Sequence, residues 1–372
     1  MNLRENAMAI LHYEKFDQYP VVSFGYWPET LGKWAAEGHI THEEAEGYGY
    51  YLDNYEADRS IMKKLGFDFN WSCYFEFCSR LHPNFGHTVL EERPDGILLV
   101  RDPDGLIILQ KPGITSIPAV IGTSMTGREA WEELYLPKLR WSLERINTKQ
   151  LKAMTDNHDI PLALHCGSLM GYMRNFLGLE QFSYLYVDDK ELYIEIIDTL
   201  ADLCYQGVKT TLETGAKFDY AHFWEDICFK NGPIVSPQVF EAYVAPHYKK
   251  ITDLLAQYNI DIVSVDCDGC IDSLVPIWLK NGVNTMFPIE VGTWNGNIGP
   301  WREKYGKALR GVGGMNKKVF ACDREAVDKE VERLKRLIDL GGYIACPDHR
   351  IAPDAKFELV QYYCEKMHEL KI

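Results

Sequence analysis

The feature that most constrains the fold is a regular alternation of short apolar runs with longer amphipathic stretches. Eight runs have the length and composition of buried strands: 20–25, 67–72, 161–166, 218–225, 260–266, 283–290, 309–314 and 342–347. Helical patterns lie between them, most clearly at 127–150, 188–214, 236–258 and 324–340. This alternation is typical of a parallel sheet, and about eight such units close into a barrel. The sequence therefore predicts an α/β fold, a single (β/α)8 TIM barrel over residues 1–372.

One segment departs from this rhythm. Residues 84–118 carry two short apolar runs, and Pro-Asp-Gly stands at both 94–96 and 103–105. Turn residues of this kind between β-rich runs are typical of antiparallel strands. We expect a β meander here, a β-hairpin insertion on the upper rim of the barrel. No repeat or linker-like composition marks a domain boundary elsewhere.

Charge and composition exclude several classes of function. The formal net charge is −15 at pH 7, and an acidic surface repels the phosphates of nucleic acids. No run of about 20 apolar residues is present, so we expect no membrane span. The first 20 residues lack the apolar core of a secretion signal, which favours a cytoplasmic enzyme. The ten cysteines are then expected to be reduced.

The run from 261 to 270 places two carboxylates at one predicted strand end. Side chains alternate along a strand, so Val263 and Val265 share one face and Ser264, Asp266 and Asp268 share the other. The valines suit the outer face, under the helices, which turns the acids toward the barrel mouth. Two such acids are costly unless they bind a cation or share a proton. The alternative is a loop in which one aspartate caps the next helix.

Polar or aromatic residues also follow the other predicted strands, where barrel enzymes carry their catalytic groups. These candidates are Tyr26, Trp27, His165, Trp224, Glu225, Glu290, Asp348 and His349. We interpret Glu225, Glu290 and Asp348 as acid–base groups, and the aromatic residues with His165 as the substrate pocket. The alternatives are helix-capping acids, aromatic residues that pack between a strand and a helix, and a surface histidine.

Cys267 and Cys270 form a Cys-x-x-Cys pair at a predicted helix start, where redox cysteines are found. The other features of a thioredoxin-like protein are missing. A four-cysteine zinc site would need a second such pair. Disulfide chemistry is therefore the weaker interpretation of this segment.

The second half of the chain resembles the uroporphyrinogen decarboxylase superfamily. The similarity covers residues 155–370 and lies in VDCDGCIDSLVPIWLKNGVNTMF, GVGGMNKKVF and DREAVDKEVERLKRLIDLGGYIACPDHRIAPD. The superfamily contains decarboxylases and cobamide-dependent methyltransferases. In the methyltransferases a His-x-Cys pair and a distant Cys hold zinc. The resemblance places those ligands on Asp266, Asp268 and His349, with Cys267, Cys270, Cys346 or His165 able to complete the metal shell.

The resemblance favours the methyltransferase branch. Decarboxylases of the superfamily carry an arginine-rich segment after the first strand, and this chain has FGYWPETLGKW there. The implied activity is metal-dependent transfer of a methyl group between a small, partly apolar substrate and the cobamide of a corrinoid carrier protein. The substrate would be a methoxylated aromatic, a methylamine or a thiol. The chain has no Asp-x-His-x-x-Gly motif, so the cobamide would arrive on that partner. The alternatives are a metal-independent decarboxylase and a non-catalytic ligand-binding barrel.

Overall fold

The computed structural model describes residues 1–49, 53–111, 118–156 and 158–370. Its strands are β1 (Val22–Ser23), β2 (Phe69–Asn70), β3 (Tyr74–Glu76), β4 (Thr88–Glu92), β5 (Leu98–Arg101), β6 (Leu106–Gln110), β7 (Ala119–Thr123), β8 (Ala163–His165), β9 (Tyr220–Trp224), β10 (Cys228–Phe229), β11 (Gly232–Pro233), β12 (Val263–Asp266), β13 (Thr285–Phe287), β14 (Arg310–Met315) and β15 (Tyr343–Pro347).

The α-helices are α1 (Leu3–Leu11), α2 (Pro28–Ala36), α3 (His42–Gly47), α4 (Glu56–Leu65), α5 (Arg128–Ala130), α6 (Thr148–Thr155), α7 (Gly171–Asp188), α8 (Lys190–Glu213), α9 (Pro237–Tyr243), α10 (Ala245–Gln257), α11 (Val275–Lys280), α12 (Val291–Trp294), α13 (Ile298–Tyr305), α14 (Arg324–Ile338) and α15 (Phe357–His368). A π-helical turn covers Trp131–Tyr135, and 3-10 turns cover Leu136–Leu139, Leu143–Arg145, Gly306–Ala308 and Lys317–Ala321.

The central sheet is parallel and has the strand order β15-β14-β13-β12-β9-β8-β3. The parallel pair β1–β2 continues it, because β2 and β3 occupy one strand position that is interrupted at residues 71–73. Trp71 stacks on Tyr220 at 4.6 Å and Tyr74 on His222 at 5.5 Å, so both rings lie inside the barrel. Since residues three apart on a regular strand face opposite sides, the interruption shifts the alternation by one residue.

Contacts between the first and last strand positions close the sheet into a barrel. The hydroxyl of Tyr19 accepts from the amide of Ala345 at 2.6 Å and donates to the carbonyl of Tyr343 at 3.2 Å. Farther along, the amide of Ile351 donates to the carbonyl of Gly25 at 2.9 Å. The predicted TIM barrel is therefore confirmed, with a tyrosine side chain completing part of the ladder.

The predicted β insertion is also present, with more strands than a hairpin. Strands β4 to β7 form a four-stranded antiparallel sheet that ends at Thr123, beyond the predicted boundary at residue 118. Part of the predicted segment, residues 112–117, lies outside the described residues. The sheet rests on α7, where the hydroxyl of Thr123 donates to the carbonyl of Phe176. This contact fixes the insertion beside the barrel.

Two predicted helices are confirmed as α8 and α14, and Asp323 caps α14 through the amide of Ala326 at 2.9 Å. The prediction of one helix over 127–150 is wrong, because the segment breaks into short turns around Pro137, which cannot donate a helical hydrogen bond. The segment 236–258 splits into α9 and α10 just before Pro246 for the same reason. No helix in the described ranges is long and apolar enough to span a membrane.

Candidate active site

The register of the strands fixes the floor of the barrel mouth. His165 lies beside His222 and His222 beside Ser264 in one layer of the interior. The Nδ1 atom of His222 lies 2.6 Å from Oγ of Ser264, so both side chains point inward. The predicted inward face of β12 is therefore present. By the same alternation Asp266, two residues along, belongs to the layer above, at the mouth.

The loops above this floor bring two predicted site residues together. Nε2 of His349 lies 3.3 Å from Oδ2 of Asp268. The indole of Trp27 stacks on the imidazole of His349, with ring centres 5.6 Å apart and planes at 14°. The ring of Phe24 meets the same imidazole edge-on at 5.7 Å. Because Trp27 and Phe24 hold the ring from two directions, its orientation toward Asp268 is fixed.

The Asp268–His349 pair keeps unused hydrogen-bonding capacity. Oδ1 of Asp268 and Nδ1 of His349 are buried, and neither has a hydrogen-bond partner among the described residues. Such atoms are uncommon in folded proteins, because a buried polar atom without a partner is costly. These two atoms are consequently available to a bound molecule.

The residues predicted to bind a metal do not fit a metal site. Within the described ranges, no group of three or more His, Cys, Asp or Glu side chains is arranged to hold a metal ion. Asp268 and His349 contact each other, and no third His, Cys, Asp or Glu in the described part of the chain completes a ligand group with them. Of the thiols considered, Cys346 is buried and the Sγ of Cys267 donates to the carbonyl of Asp268 at 3.6 Å. We therefore derive no chemical step through a metal.

Several carboxyl groups with raised pKa values lie at the mouth. Burial raises the pKa of Asp266 well above its usual range, and the neighbouring charges of Asp268 and Asp226 raise it further. Burial also raises the pKa of Asp226 to about 6, although the guanidinium of Arg174 lies 2.8 Å from its carboxylate. Glu290 has a raised pKa for the same first cause, burial, followed by the charge of Asp268. This arrangement can hold protons as well as accept them.

Sequence reasoning missed the cations of the mouth. The guanidinium groups of Arg80 and Arg174 each lie 5.9 Å from the ring centre of Trp224. Lys317 lies near the acids of the mouth, and its burial lowers its pKa. Arg350 forms an ion pair of 3.0 Å with Asp53. Position is the sequence signal that marks two of them, since Arg80 and Arg350 closely follow the ends of β3 and β15.

Glu225 was predicted as an acid–base group, and the structure gives it a different place. Its side chain is fully buried on the outer side of β9, with Phe223. The carboxylate accepts five hydrogen bonds, from Ser168 Oγ, the backbone amides of residues 169–171 and the hydroxyl of Tyr248. Four of these donors lie at the start of α7 and the fifth, Tyr248, lies on α10, so Glu225 anchors the start of α7 against α10. We do not retain it as a catalytic candidate.

Asp348 was also predicted as an acid–base group, and its carboxylate likewise binds backbone amides. It is buried, and its carboxylate accepts from the backbone amides of Val291 at 2.9 Å, Gly292 at 2.8 Å and Lys317 at 3.2 Å. These bonds fix the start of α12 and the loop after β14. Glu290 differs, because it is half-buried and faces the charge of Asp268. Glu290 remains a candidate at the rim of the mouth.

The residues predicted to line a substrate pocket fall into two groups. Trp27, His165 and Trp224 lie at the mouth, as the contacts above describe. Tyr26 does not, because its fully buried ring packs between Trp34 and Tyr48, with centres 5.7 Å away in each case. Tyr26 belongs to the packing between the first strand and its helix, which was the alternative interpretation.

A separate cavity of about 810 Å³ lies between α4, β3 and α6. Its lining includes Asp53, Arg59, Tyr74, Glu76 and Met154. Tyr74 reaches the barrel interior through its stack on His222, so this cavity adjoins the floor of the mouth. Asp268 and His349 are not part of its lining.

Comparison with known proteins assigns the family. Residues 135–370 match the model of the uroporphyrinogen decarboxylase (URO-D) family. The structure is similar to that of a methyltransferase from Methanosarcina mazei, with 15% identity, a TM-score of 0.61 and 99% of each chain covered. It is also similar to a B12-independent methionine synthase from Shewanella sp. W3-18-1, with 13% identity, a TM-score of 0.50 and coverage of 94% of this chain and 97% of that one.

These structural likenesses are evidence of a shared fold alone. No curated protein sequence matches the chain. The family model, by contrast, covers more than half of the chain and includes β8 through β15, the strands that carry Asp266, Asp268 and His349. The chain therefore belongs to the uroporphyrinogen decarboxylase family.

Proposed function

We propose that the chain is a methyltransferase that removes a methyl group from a heteroatom of a small, partly apolar substrate. The observation that carries this proposal is His349, held at the mouth between Asp268 and the indole of Trp27. An imidazole that is oriented by a carboxylate is the usual protein group for moving a proton at neutral pH. The flat aromatic wall beside it suits an apolar substrate.

The chemistry requires one proton to be delivered. When the bond between the methyl carbon and an oxygen, nitrogen or sulfur breaks, the heteroatom keeps the electron pair and becomes a poor leaving group unless it is protonated. Protonated His349 gives its proton to that heteroatom as the bond breaks, and the carboxylate of Asp268 stabilises the imidazolium beforehand. The methyl carbon bonds to a nucleophilic acceptor that supplies the electron pair of the new bond. The products are the demethylated substrate, the methylated acceptor and neutral His349, so atoms and charge balance.

The acceptor of the methyl group is proposed to be a cobamide on a separate corrinoid carrier protein. That cofactor would supply the cobalt centre that takes the methyl group. The proposal of a cobamide acceptor is supported by the resemblance of this chain to cobamide-dependent members of its family. Methyl transfer itself agrees with the methyltransferase of Methanosarcina mazei that has a similar fold. Zinc, which the resemblance also implies, is not part of the proposal because the ligand positions do not fit it.

A second candidate is decarboxylation of a small acid. Two observations favour it: the guanidinium groups of Arg80 and Arg174 beside Trp224, and the raised pKa of Asp266. A decarboxylase needs a cation to hold the carboxylate and an acid to protonate the carbon that loses it. Both arginines also face acidic side chains, Arg80 facing Glu76 and Arg174 facing Asp226, which weakens this candidate.

The proposed function is tested with free cobalamin, chemically reduced, in place of the carrier protein. The purified enzyme is incubated with a methoxylated benzoate, a methylamine or a methylated thiol, and the visible spectrum of cobalt is followed. We expect a spectral change with at least one donor that depends on the enzyme. If none of the three classes gives methylated cobalamin, and demethylated product is also absent, the proposal is wrong.

A further inference from the structure

The floor of the mouth carries two histidines that the proposed reaction does not use. His165 and His222 are each only 4% exposed, and their ring centres lie 5.6 Å apart. Each ring has one nitrogen bound within the protein: Nδ1 of His165 accepts from the amide of Gly167 at 3.0 Å, and Nδ1 of His222 contacts Ser264 Oγ at 2.6 Å. Both contacts use Nδ1 and leave Nε2 out.

The contacts fix the protonation of His165. A backbone amide can only donate, so Nδ1 of His165 must be the unprotonated nitrogen. An imidazole whose Nδ1 accepts a hydrogen bond is neutral, because an imidazolium carries a proton on each nitrogen. The one ring proton therefore stands on Nε2. A protonated Nε2 cannot ligate a metal, since ligation needs its lone pair. It can only donate a hydrogen bond.

The proton of His222 can stand on either ring nitrogen, whereas that of His165 is fixed on Nε2. Burial, followed by the proximity of His165, lowers the pKa of His222 well below its usual range, so this ring is neutral as well. Its partner, the hydroxyl of Ser264, can either donate or accept. When Ser264 donates to Nδ1, the His222 proton stands on Nε2, and rotation of the hydroxyl reverses this. The pair thus offers one fixed donor and one donor or acceptor.

The surroundings of the pair are aromatic. Tyr74 stacks on His222 with planes at 10° and lies 4.9 Å from His165. Phe287 meets His222 edge-on at 6.1 Å. Glu76 lies opposite His165 on β3, and Arg80 is close enough for its charge to act on His165. A ligand that reaches the floor would therefore find flat apolar walls, two neutral imidazoles and these two ionisable side chains. Because the rings are uncharged, they discriminate by hydrogen bonding rather than by net charge.

We infer that His165 and His222 bind the polar head of the substrate, and that this head is a hydrogen-bond-accepting oxygen on a flat apolar body. The head is a carbonyl, carboxylate or phenolate oxygen that accepts from Nε2 of His165. Among the donor classes proposed above, this selects a methoxylated aromatic that carries such an oxygen over a methylammonium ion. The inference rests on the proposed function for its identification of the bound molecule as substrate.

The test measures binding without turnover. Benzoate, benzamide and benzylammonium share one ring and differ in the head group, and their affinities are measured by calorimetry at pH 7. Benzoate and benzamide represent the charged and neutral sources of an accepting oxygen, and benzylammonium has no acceptor. We expect at least one of the two oxygen probes to bind about tenfold more tightly than benzylammonium, the effect of one hydrogen bond to a buried donor.

Matched variants assign the effect to the Nε2 atoms. In His165→Asn the amide oxygen can still accept from Gly167, while the outward donor is lost. In His165→Gln an amide NH₂ stands near the former Nε2. We expect His165→Asn to lose about tenfold in affinity for the oxygen probe, and His165→Gln to recover part of the loss. His222→Asn and His222→Gln are compared in the same way.

Several outcomes would overturn the inference. These are equal or tighter binding of benzylammonium, no binding of either oxygen probe, or equal affinities in the Asn and Gln variants of His165. Thermal melts of each variant confirm that a loss of affinity is not a loss of fold. Because no methyl transfer is measured, failure here leaves the cobalamin assay unaffected. Likewise, binding that follows these expectations can stand even if that assay fails.

Discussion

The imidazole of His349 and the carboxylate of Asp268, 3.3 Å apart, connect the loop after β15 with the loop after β12 at the barrel mouth. The two loops lie on strands that are separated in the sheet by β13 and β14. The contact therefore spans the opening. It places the proposed proton donor against the stacked indole of Trp27.

Replacing His349 should abolish turnover without unfolding the protein. His349→Gln keeps an amide near the position of Nε2, able to contact Asp268, and cannot deliver a proton. We expect kcat to fall by about 100-fold or more, which is the usual contribution of general acid catalysis. Initial rates with the best methyl donor and a thermal melt check this.

His247 provides the matched control, because its Nε2 contacts Asp198 at 2.9 Å on the surface. His247→Gln should retain the activity of the unaltered enzyme. Retention of more than about half of the activity by His349→Gln would remove this residue from the mechanism.

Asp58 should make the protein less stable as pH rises. It accepts from the amide of Asn54 at 2.8 Å, yet its Oδ1 atom is buried without a partner among the described residues. Burial raises its pKa to about 7, above the value in the unfolded chain. The folded state then binds the proton more tightly, so this stabilisation is fully present below about pH 4 and is lost as pH rises through 7.

Asp58→Asn removes that pH dependence. We expect the variant to exceed the unaltered protein in free energy of unfolding at pH 8, on the order of 1 kcal/mol, and by less at pH 5. Urea denaturation at both pH values measures the difference. An equal difference at pH 5 and pH 8 would show that Asp58 is ionised in the folded state throughout this range.

Glu225 should behave as a structural residue. Four of its five hydrogen bonds hold the start of α7 and the fifth comes from Tyr248 on α10, so Glu225→Ala would leave buried amides without acceptors. We expect the free energy of unfolding to fall by about 3 kcal/mol or more. Glu225→Gln has the same shape and one carboxylate oxygen fewer. Its free energy of unfolding, measured by chemical denaturation, should lie between those of the unaltered protein and Glu225→Ala. A fully stable but inactive Glu225→Ala enzyme would return this residue to the catalytic set.

Zinc should not bind through Asp268 and His349. After treatment with a chelator, added zinc should raise the melting temperature of the unaltered protein no more than that of the Asp268→Asn variant. The reason is that no third ligand joins the pair in the described part of the chain. Stoichiometric zinc in the unaltered protein, lost in Asp268→Asn, would reinstate the metal site that the family resemblance implied.

Much of the fold could be predicted, because strand length and apolar composition are local properties. The inward face of β12 could be predicted for the same reason, since alternation places Ser264 and Asp266 on one face. The interruption between Trp71 and Tyr74 could not be predicted, because a shift in alternation cannot be recognised in a short aromatic-rich run. The split near Pro246 was foreseeable from the missing amide of proline.

The site itself was only partly predictable. Position at a strand end identified Asp268 and His349, which do meet. It also selected Glu225 and Asp348, because a strand-end acid looks the same in sequence whether it binds a substrate or a helix start. Only the three-dimensional donors at residues 169–171 separate these cases. The contribution of Arg174 depends on how α7 packs across the mouth, which no local pattern encodes.

Methyl transfer by the barrel is tested by measuring two products under matched conditions. The enzyme is given reduced cobalamin with a methoxylated benzoate in one vessel and a carboxylated porphyrinogen in another. Methylated cobalamin and carbon dioxide are quantified in both. We expect methylated cobalamin and demethylated benzoate in equal amounts in the first vessel, and no carbon dioxide in the second. Enzyme-dependent carbon dioxide from the porphyrinogen, with no methylated cobalamin, would show that the enzyme is a decarboxylase and not a methyltransferase.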